Sequence, residues 1–193
     1  MTNRYGNKYR ISPSRLKDWD YSSSGYYFVT ICVKDRMNYL GTIVNGIMEL
    51  SKIGEIAARR WNDIPRNYPN IELDQFVIMP NHIHGIIIIK NRDTGVNRRD
   101  AINRVSTNQN NIKPGGITGD YNPMMGYSLS KIIRWYKGRT AFEIHKLKDE
   151  ESFQWQSRFF DHIIRDEQSL ENIQKYIIDN PLKWIYDSEY KND

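Results

Sequence analysis

The 193-residue chain has one cysteine, Cys32, and no apolar run near the roughly 18 residues that a membrane span needs. A single thiol excludes a disulfide framework and a cysteine-based zinc site. Its setting in YYFVTICV predicts burial and fits a reducing compartment. The first ten residues, MTNRYGNKYR, lack the apolar stretch of a signal peptide, so a cytoplasmic location is expected. There is no P-loop, no dinucleotide-binding glycine pattern and no nucleophile elbow, so nothing points to nucleotide-driven, hydride-transfer or serine-hydrolase chemistry. Internal repeats are absent as well.

What is present is a soluble-type composition, 39% hydrophobic with a mean hydropathy of -0.71, long enough for one domain over 1–193 with a core of its own. The net charge is +5 and the pI about 9.2, which favours polyanionic partners without proving one. Cations stand beside aromatics in Arg134-Trp135-Tyr136-Lys137 and in Trp155-Gln156-Ser157-Arg158. Bases stacked on aromatics, with phosphates paired to the cations, would account for that pattern. Core aromatics and solvated charges account for it equally.

Residues 26–34, YYFVTICVK, have the β-branched and aromatic content of a strand. Asn45-Gly46 between apolar runs is a hairpin signal. Ser51 suits the cap of a helix whose Ile53, Ile56, Ala57, Trp61 and Ile64 form one stripe, ending at Pro65. Residues 71–79 and 82–90 are strand-like runs around Pro80-Asn81 and should pair antiparallel. Residues 91–126 lack apolar periodicity and predict a flexible insertion, and 1–20 an N-terminal arm. A helix after Ser128, a strand near 157–165 and a final helix from about Asp166, closed by Pro181, complete the order. The fold class predicted is α+β: a ferredoxin-like βαββαβ core with an antiparallel sheet, an added early hairpin and an added C-terminal helix.

Two features carry chemistry. Alternation along a strand puts His82 and His84 on one face, roughly 6–7 Å apart, with Ile83 on the other. They suit two ligands of one divalent ion, or two polar residues on a solvated face. On the last helix Tyr176 and Asn180 are i and i+4 and flank the apolar stripe of Leu170, Ile173 and Ile177. An amide turned towards a sheet costs a few kcal/mol unless satisfied. A shared ion would satisfy Asn180, and so would backbone carbonyls at the helix end.

The segments RLKDWDYSSSGYYFVTICVKDR, NHIH and QSRFFDHIIRDEQSLENIQKYIIDNPLKW resemble the HUH single-tyrosine transposases, and most of all their REP-associated tyrosine transposase branch. The likeness runs from about residue 10 to about residue 187 and leaves 91–126 unmatched. It implies metal-dependent cleavage and rejoining of single-stranded, hairpin-containing DNA through a 5′-phosphotyrosine, with Tyr176 as nucleophile. It also implies that His82, His84 and Asn180 hold Mg²⁺ or Mn²⁺. Arg158 and Arg165 are then candidate phosphate contacts, and His162 a candidate base or phosphate contact or a structural residue. Lys131, Arg134 and Lys137 suit a DNA-facing helix or a solvated one. The protein would act as a monomer or homodimer. Two other functions fit the same fold: a non-catalytic single-stranded nucleic-acid-binding module, and a metal-dependent phosphodiesterase that uses water. A water-activating site would favour a carboxylate near the histidines, and the nearest in sequence, Asp74, lies before the turn on the neighbouring strand.

Overall fold

The computed structural model describes residues 19–90, 128–147 and 152–186, together with two short paired strands, β1 (Arg4–Tyr5) and β2 (Lys8–Tyr9). The 91–126 insertion and most of the 1–20 arm lie outside the described residues.

Strand β3 (Gly25–Cys32) is followed by a hairpin of β4 (Gly41–Val44) and β5 (Ile47–Leu50), and then by helix α1 (Lys52–Asn62) and the short α2 (Ile64–Asn67). Next come β6 (Ile71–Ile78), β7 (His82–Ile89), helix α3 (Leu129–Ile144), β8 (Phe160–Ile164) and helix α4 (Glu167–Asp179). The β4–β5 turn has Asn45 at φ 52° and Gly46 at φ 76°, both left-handed, as a two-residue hairpin matched to strand twist requires. Ser51 caps α1 by accepting from the Gly54 N–H at 3.1 Å.

The main sheet has the order β6-β7-β3-β8 with every neighbouring pair antiparallel. That is the ferredoxin-like arrangement expected from the element order: β3, α1, β6, β7, α3 and β8 form the core, with the β4–β5 hairpin and α4 added. Period-two alternation divides its side chains between two layers. Tyr27, Val29, Ile31, Ile83 and Ile87 pack under α1 and α3. Tyr26, Phe28, Ile86, Ile88 and Ile164 pack against Leu170 and Ile177 of α4. With helices on both faces, β7 is buried along its whole length. That explains a strand reading HIHGIIII, whose apolar residues do not alternate with exposed polar ones.

One detail agrees with expectation and one differs. The last α-helix ends at Asp179, with Asn180 as its C-cap directly before Pro181, and the chain continues as a 3₁₀ segment, Asn180–Tyr186, because proline lacks the amide for an α-helical bond but fits a first turn. Cys32 is half-buried rather than buried, since it ends its strand.

The α1–α3 layer is tied by polar contacts as well as apolar ones. Arg59 and Arg60 both bond Glu143, and the Tyr136 hydroxyl donates to the Ala57 carbonyl at 3.0 Å. Lys137 Nζ donates to the carbonyls of Gln156 and Arg158, each at 2.8 Å, tying the approach to β8 onto α3. Burial pulls that ammonium down to about 8.

Gly85 makes room for this layer. A Cβ there would lie 2.3 Å from the Trp61 ring, which is wholly buried and stacks on Phe76 with ring centres 5.8 Å apart. Gly85→Ala should therefore destabilise by about 1–3 kcal/mol through overpacking. The check is urea unfolding, with a lower midpoint and an unchanged m-value expected.

Candidate active site

Strand β7 offers His82 and His84 to the α4 side because residues 82, 84, 86 and 88 share a face, and Ile86 and Ile88 are in the α4 cluster. The two imidazoles are 0% and 4% exposed, so they do not sit on a solvated face. A buried ring nitrogen needs a partner, and all four have one. His82 Nδ1 lies 2.9 Å from Asn81 Oδ1, and His84 Nδ1 lies 2.9 Å from Thr30 Oγ1. The two Nε2 atoms are 2.9 Å apart, and Tyr176 Oη is 3.1 Å from His84 Nε2.

Helix α4 is positioned by its apolar stripe, with Leu170 and Ile177 buried against the sheet, and is capped by Asp166, which accepts from the Ser169 N–H at 2.7 Å. Gln174 also reaches Asp74 on β6 at 3.0 Å. This places Tyr176 over His84, with ring centres 5.1 Å apart, and Trp184 over His82, at 5.8 Å. Asn180, the C-cap of α4 and four residues after Tyr176, is 2% exposed. Its side-chain oxygen is buried. Tyr176 by contrast is 42% exposed, so its hydroxyl reaches inward to the imidazole from a ring that a solvent-borne substrate can approach. Phe28 stacks beneath, 5.3 Å from His84 and edge-on to Tyr176 at 6.1 Å.

The donor set suits a divalent cation. Two cis ligands about 2.1 Å from one ion stand about 3 Å apart, close to the observed separation of the two Nε2 atoms. Each imidazole is held at Nδ1 by a further residue, the usual support for a histidine ligand. The buried amide of Asn180 stands at the end of the facing helix, one turn beyond Tyr176. Burial, and secondarily the charge of Arg36, lowers the His82 pKa from an imidazole's ordinary 6.5 to about 3. A neutral ring keeps a lone pair available for a metal.

His82, His84 and Tyr176 are thus brought to one place, with Asn180 buried one turn beyond the tyrosine. His162 is on the edge strand β8, exposed and paired with Phe28 of β3, while Arg158 and Arg165 flank the strand and Arg165 stacks over Trp19 at 5.9 Å. Lys131, Arg134 and Lys137 are on α3, on the opposite face of the sheet, and the Lys137 ammonium is held by backbone carbonyls. Sequence reasoning missed Thr30, Asn81, Phe28 and Trp184. Asn81 precedes the first histidine and Trp184 is eight residues from Tyr176, so spacing carried a signal for both. Thr30 and Phe28 become visible only through the cross-strand register.

Comparison with known proteins places these features in context. The family described as "Transposase IS200 like" matches residues 121–180, a span that includes Tyr176 and Asn180. A Haemophilus influenzae protein without a functional name is 37% identical over 196 residues, covering 98% of this chain and 99% of its own. A second H. influenzae protein, assigned by name to the REP-associated tyrosine transposases, is 27% identical over 169 residues, covering 86% of this chain and 76% of its own. The solved structure of a REP-associated tyrosine transposase bound to a REP hairpin aligns with 90% of this chain and 74% of its own, at 20% identity and a TM-score of 0.56. That likeness shows a shared fold.

The buried, neutral His82 has a consequence for stability. Its folded pKa is depressed, so between about 3 and 6.5 the unfolded chain binds a proton that the folded one does not. Stability should fall as pH drops below 6.5, by up to about 1.4 kcal/mol per unit from this group. Urea unfolding in chelator between pH 7.5 and 5 should show a shallower pH dependence for His82→Gln than for the unaltered protein.

Proposed function

Because the chain belongs to the IS200-like, HUH-type single-tyrosine transposases, in their REP-associated branch, we propose that it cuts and rejoins single-stranded, hairpin-containing DNA with Tyr176 as nucleophile. The observation that carries this is the 3.1 Å contact between the hydroxyl of the accessible Tyr176 and the buried His84 Nε2. The metal dependence general in the family is supported here by the converging His82 and His84 nitrogens and by Asn180 on the tyrosine's own helix.

In the first step Tyr176 Oη gives up its proton and attacks the scissile phosphorus. A P–Oη bond forms to the 5′ side, and the P–O3′ bond breaks, leaving a 3′-oxygen that takes up a proton. Ester energy is conserved, so reversal onto a new 3′-hydroxyl rejoins strands without an external energy source. His82, His84 and Asn180 would hold Mg²⁺ or Mn²⁺, which supplies charge stabilisation at a non-bridging phosphate oxygen. Three neutral donors leave that positive charge for the substrate phosphate to meet. The sheet and α4 fix the tyrosine against the imidazole pair, so little reorganisation is needed to reach the phosphate. Phe28 and Trp184 keep the far side of the imidazoles dry, which strengthens electrostatic interactions there.

The substrate class follows the relative that binds a REP hairpin, together with the chain's +5 charge. His162, in register with Phe28 on the α4 side, is the nearest of the three to the histidine pair, and Arg158 and Arg165 at the two ends of β8 are proposed phosphate contacts for DNA that runs along this edge. On the α3 side, Lys131 and Arg134 would contact only DNA that wraps the opposite face of the sheet.

Incubation with Mg²⁺ or Mn²⁺ and a labelled single strand carrying a hairpin from beside the gene should give a denaturation-resistant protein–DNA adduct. Tyr176→Phe should abolish the adduct while hairpin binding, read by gel shift, persists. Binding without any cleavage would support a binding module instead. Cleavage without an adduct, unaffected by Tyr176→Phe, would support attack by water.

A further inference from the structure

Asn81 occupies the second position of the two-residue turn into β7 and is wholly buried. The turn is fixed from several sides. The Met79 N–H donates to the His82 carbonyl at 2.8 Å, the Val33 N–H to the Asn81 carbonyl at 2.8 Å, and the Leu40 N–H to the Pro80 carbonyl at 2.9 Å. The Asn81 side chain then makes two directed bonds. Its Nδ2 donates to the Arg36 carbonyl at 3.1 Å, and its Oδ1 faces His82 Nδ1 at 2.9 Å. The carbonyl of Arg36 can only accept, which identifies the amide nitrogen and leaves the oxygen towards the imidazole. That carbonyl is presented by a turn in which Asp35 and Arg36 both have φ of 57°, a conformation non-glycine residues rarely adopt.

An amide oxygen cannot donate, so the hydrogen in the Asn81–His82 bond belongs to His82 Nδ1. In the neutral ring Nε2 then carries the lone pair. Thr30, opposite His84, is different in kind, because a hydroxyl donates or accepts. Two bare nitrogens do not attract at 2.9 Å, so without metal the hydrogen between the rings sits on His84 Nε2, and Thr30 donates to His84 Nδ1. For both Nε2 lone pairs to face one cation, His84 must lose that hydrogen and carry one on Nδ1, where Thr30 accepts it. One proton leaves and one is gained, with no change in charge.

We propose that Asn81 is a positioning residue that locks His82 in its Nδ1–H form, while Thr30 is the adaptable partner that lets His84 change form when a cation arrives. The inference rests on the reading of His82 and His84 as a metal pair, but it concerns residues outside that pair. Long-range ¹H–¹⁵N correlation spectra of ¹⁵N-histidine-labelled protein, at pH 8 in chelator, read each ring's tautomer directly. The expected spectrum has His82 with a lone-pair Nε2 and His84 with a hydrogen there. Asn81→Ala should release His82 into a mixture and weaken Mn²⁺ binding about 10–100-fold. Asn81→Asp, still an acceptor towards Nδ1, should keep His82 locked. Thr30→Val should alter the His84 signals and leave those of His82 in place.

A hydrogen on His82 Nε2 in the unaltered protein would overturn the proposal, and that measurement needs no variant to fold. So would Asn81→Ala with unchanged tautomer and unchanged Mn²⁺ affinity. If His82 is locked as described but the unaltered protein does not bind Mn²⁺, the role of Asn81 stands and the metal reading fails.

Discussion

Two imidazoles buried side by side between a sheet and a helix are the constraint on which the rest of this molecule turns. A neutral histidine can be buried at tolerable cost only if both ring nitrogens are satisfied. Besides pairing the strand's two histidines with each other, that requirement draws in three elements: the turn before β7, the neighbouring strand β3, and the helix α4 that crosses above. Asn81, Thr30 and Tyr176 are the residues through which each is engaged. Moving Asn81 or Thr30 takes the partner from a buried imidazole nitrogen, and moving Tyr176 removes the helix's polar link to the pair. The polar pair therefore specifies how the sheet and the C-terminal helix meet, and apolar packing by Leu170, Ile177, Ile86 and Ile88 holds the meeting shut.

The opposite layer serves the same end less directly. Helices α1 and α3 cover the second face of β7, so the strand is buried from both sides and its face alternation cannot slip by one residue without exposing both histidines' neighbours. Glu143 and Lys137 bind that layer together, and Gly85 gives Trp61 the space to reach the sheet. The imidazoles consequently sit on a rigid strand near the middle of the domain. The tyrosine sits at its surface, where a long substrate can pass. Rigid donors inside and an accessible nucleophile outside suit chemistry on a polymer.

Much of the fold was legible because local rules and global packing agreed. Asn45-Gly46 has only one common use between apolar runs, and the helical stripes of α1 and α4 repeat at the helical period. The order of elements then left few sheets to choose from. The alternation in His82-Ile83-His84 made one shared face predictable, and Tyr176 and Asn180 were legible as a pair through their spacing of four. What the sequence hid was register and depth. Thr30 pairs with His84 only because β3 and β7 align as they do, and nothing local announces it. The burial of both histidines depends on α4 arriving from nearly a hundred residues away. Lys137 looked like one more surface cation beside an aromatic, and only tertiary structure shows its ammonium bonded to two carbonyls. Pro181 marked the helix end, but nothing local announced that the 3₁₀ segment beginning at Asn180 carries Trp184 to His82.

The central claim, that Tyr176 joins covalently to DNA beside this histidine pair, is tested most directly by locating the attachment. After cleavage of a hairpin-bearing single strand in Mn²⁺, nuclease and trypsin digestion followed by mass spectrometry identifies the modified peptide. The account predicts a nucleotide 5′-phosphate on the peptide Tyr176–Lys183. Attachment at another tyrosine, or cut strands with a free 5′-phosphate and no modified peptide, would contradict it.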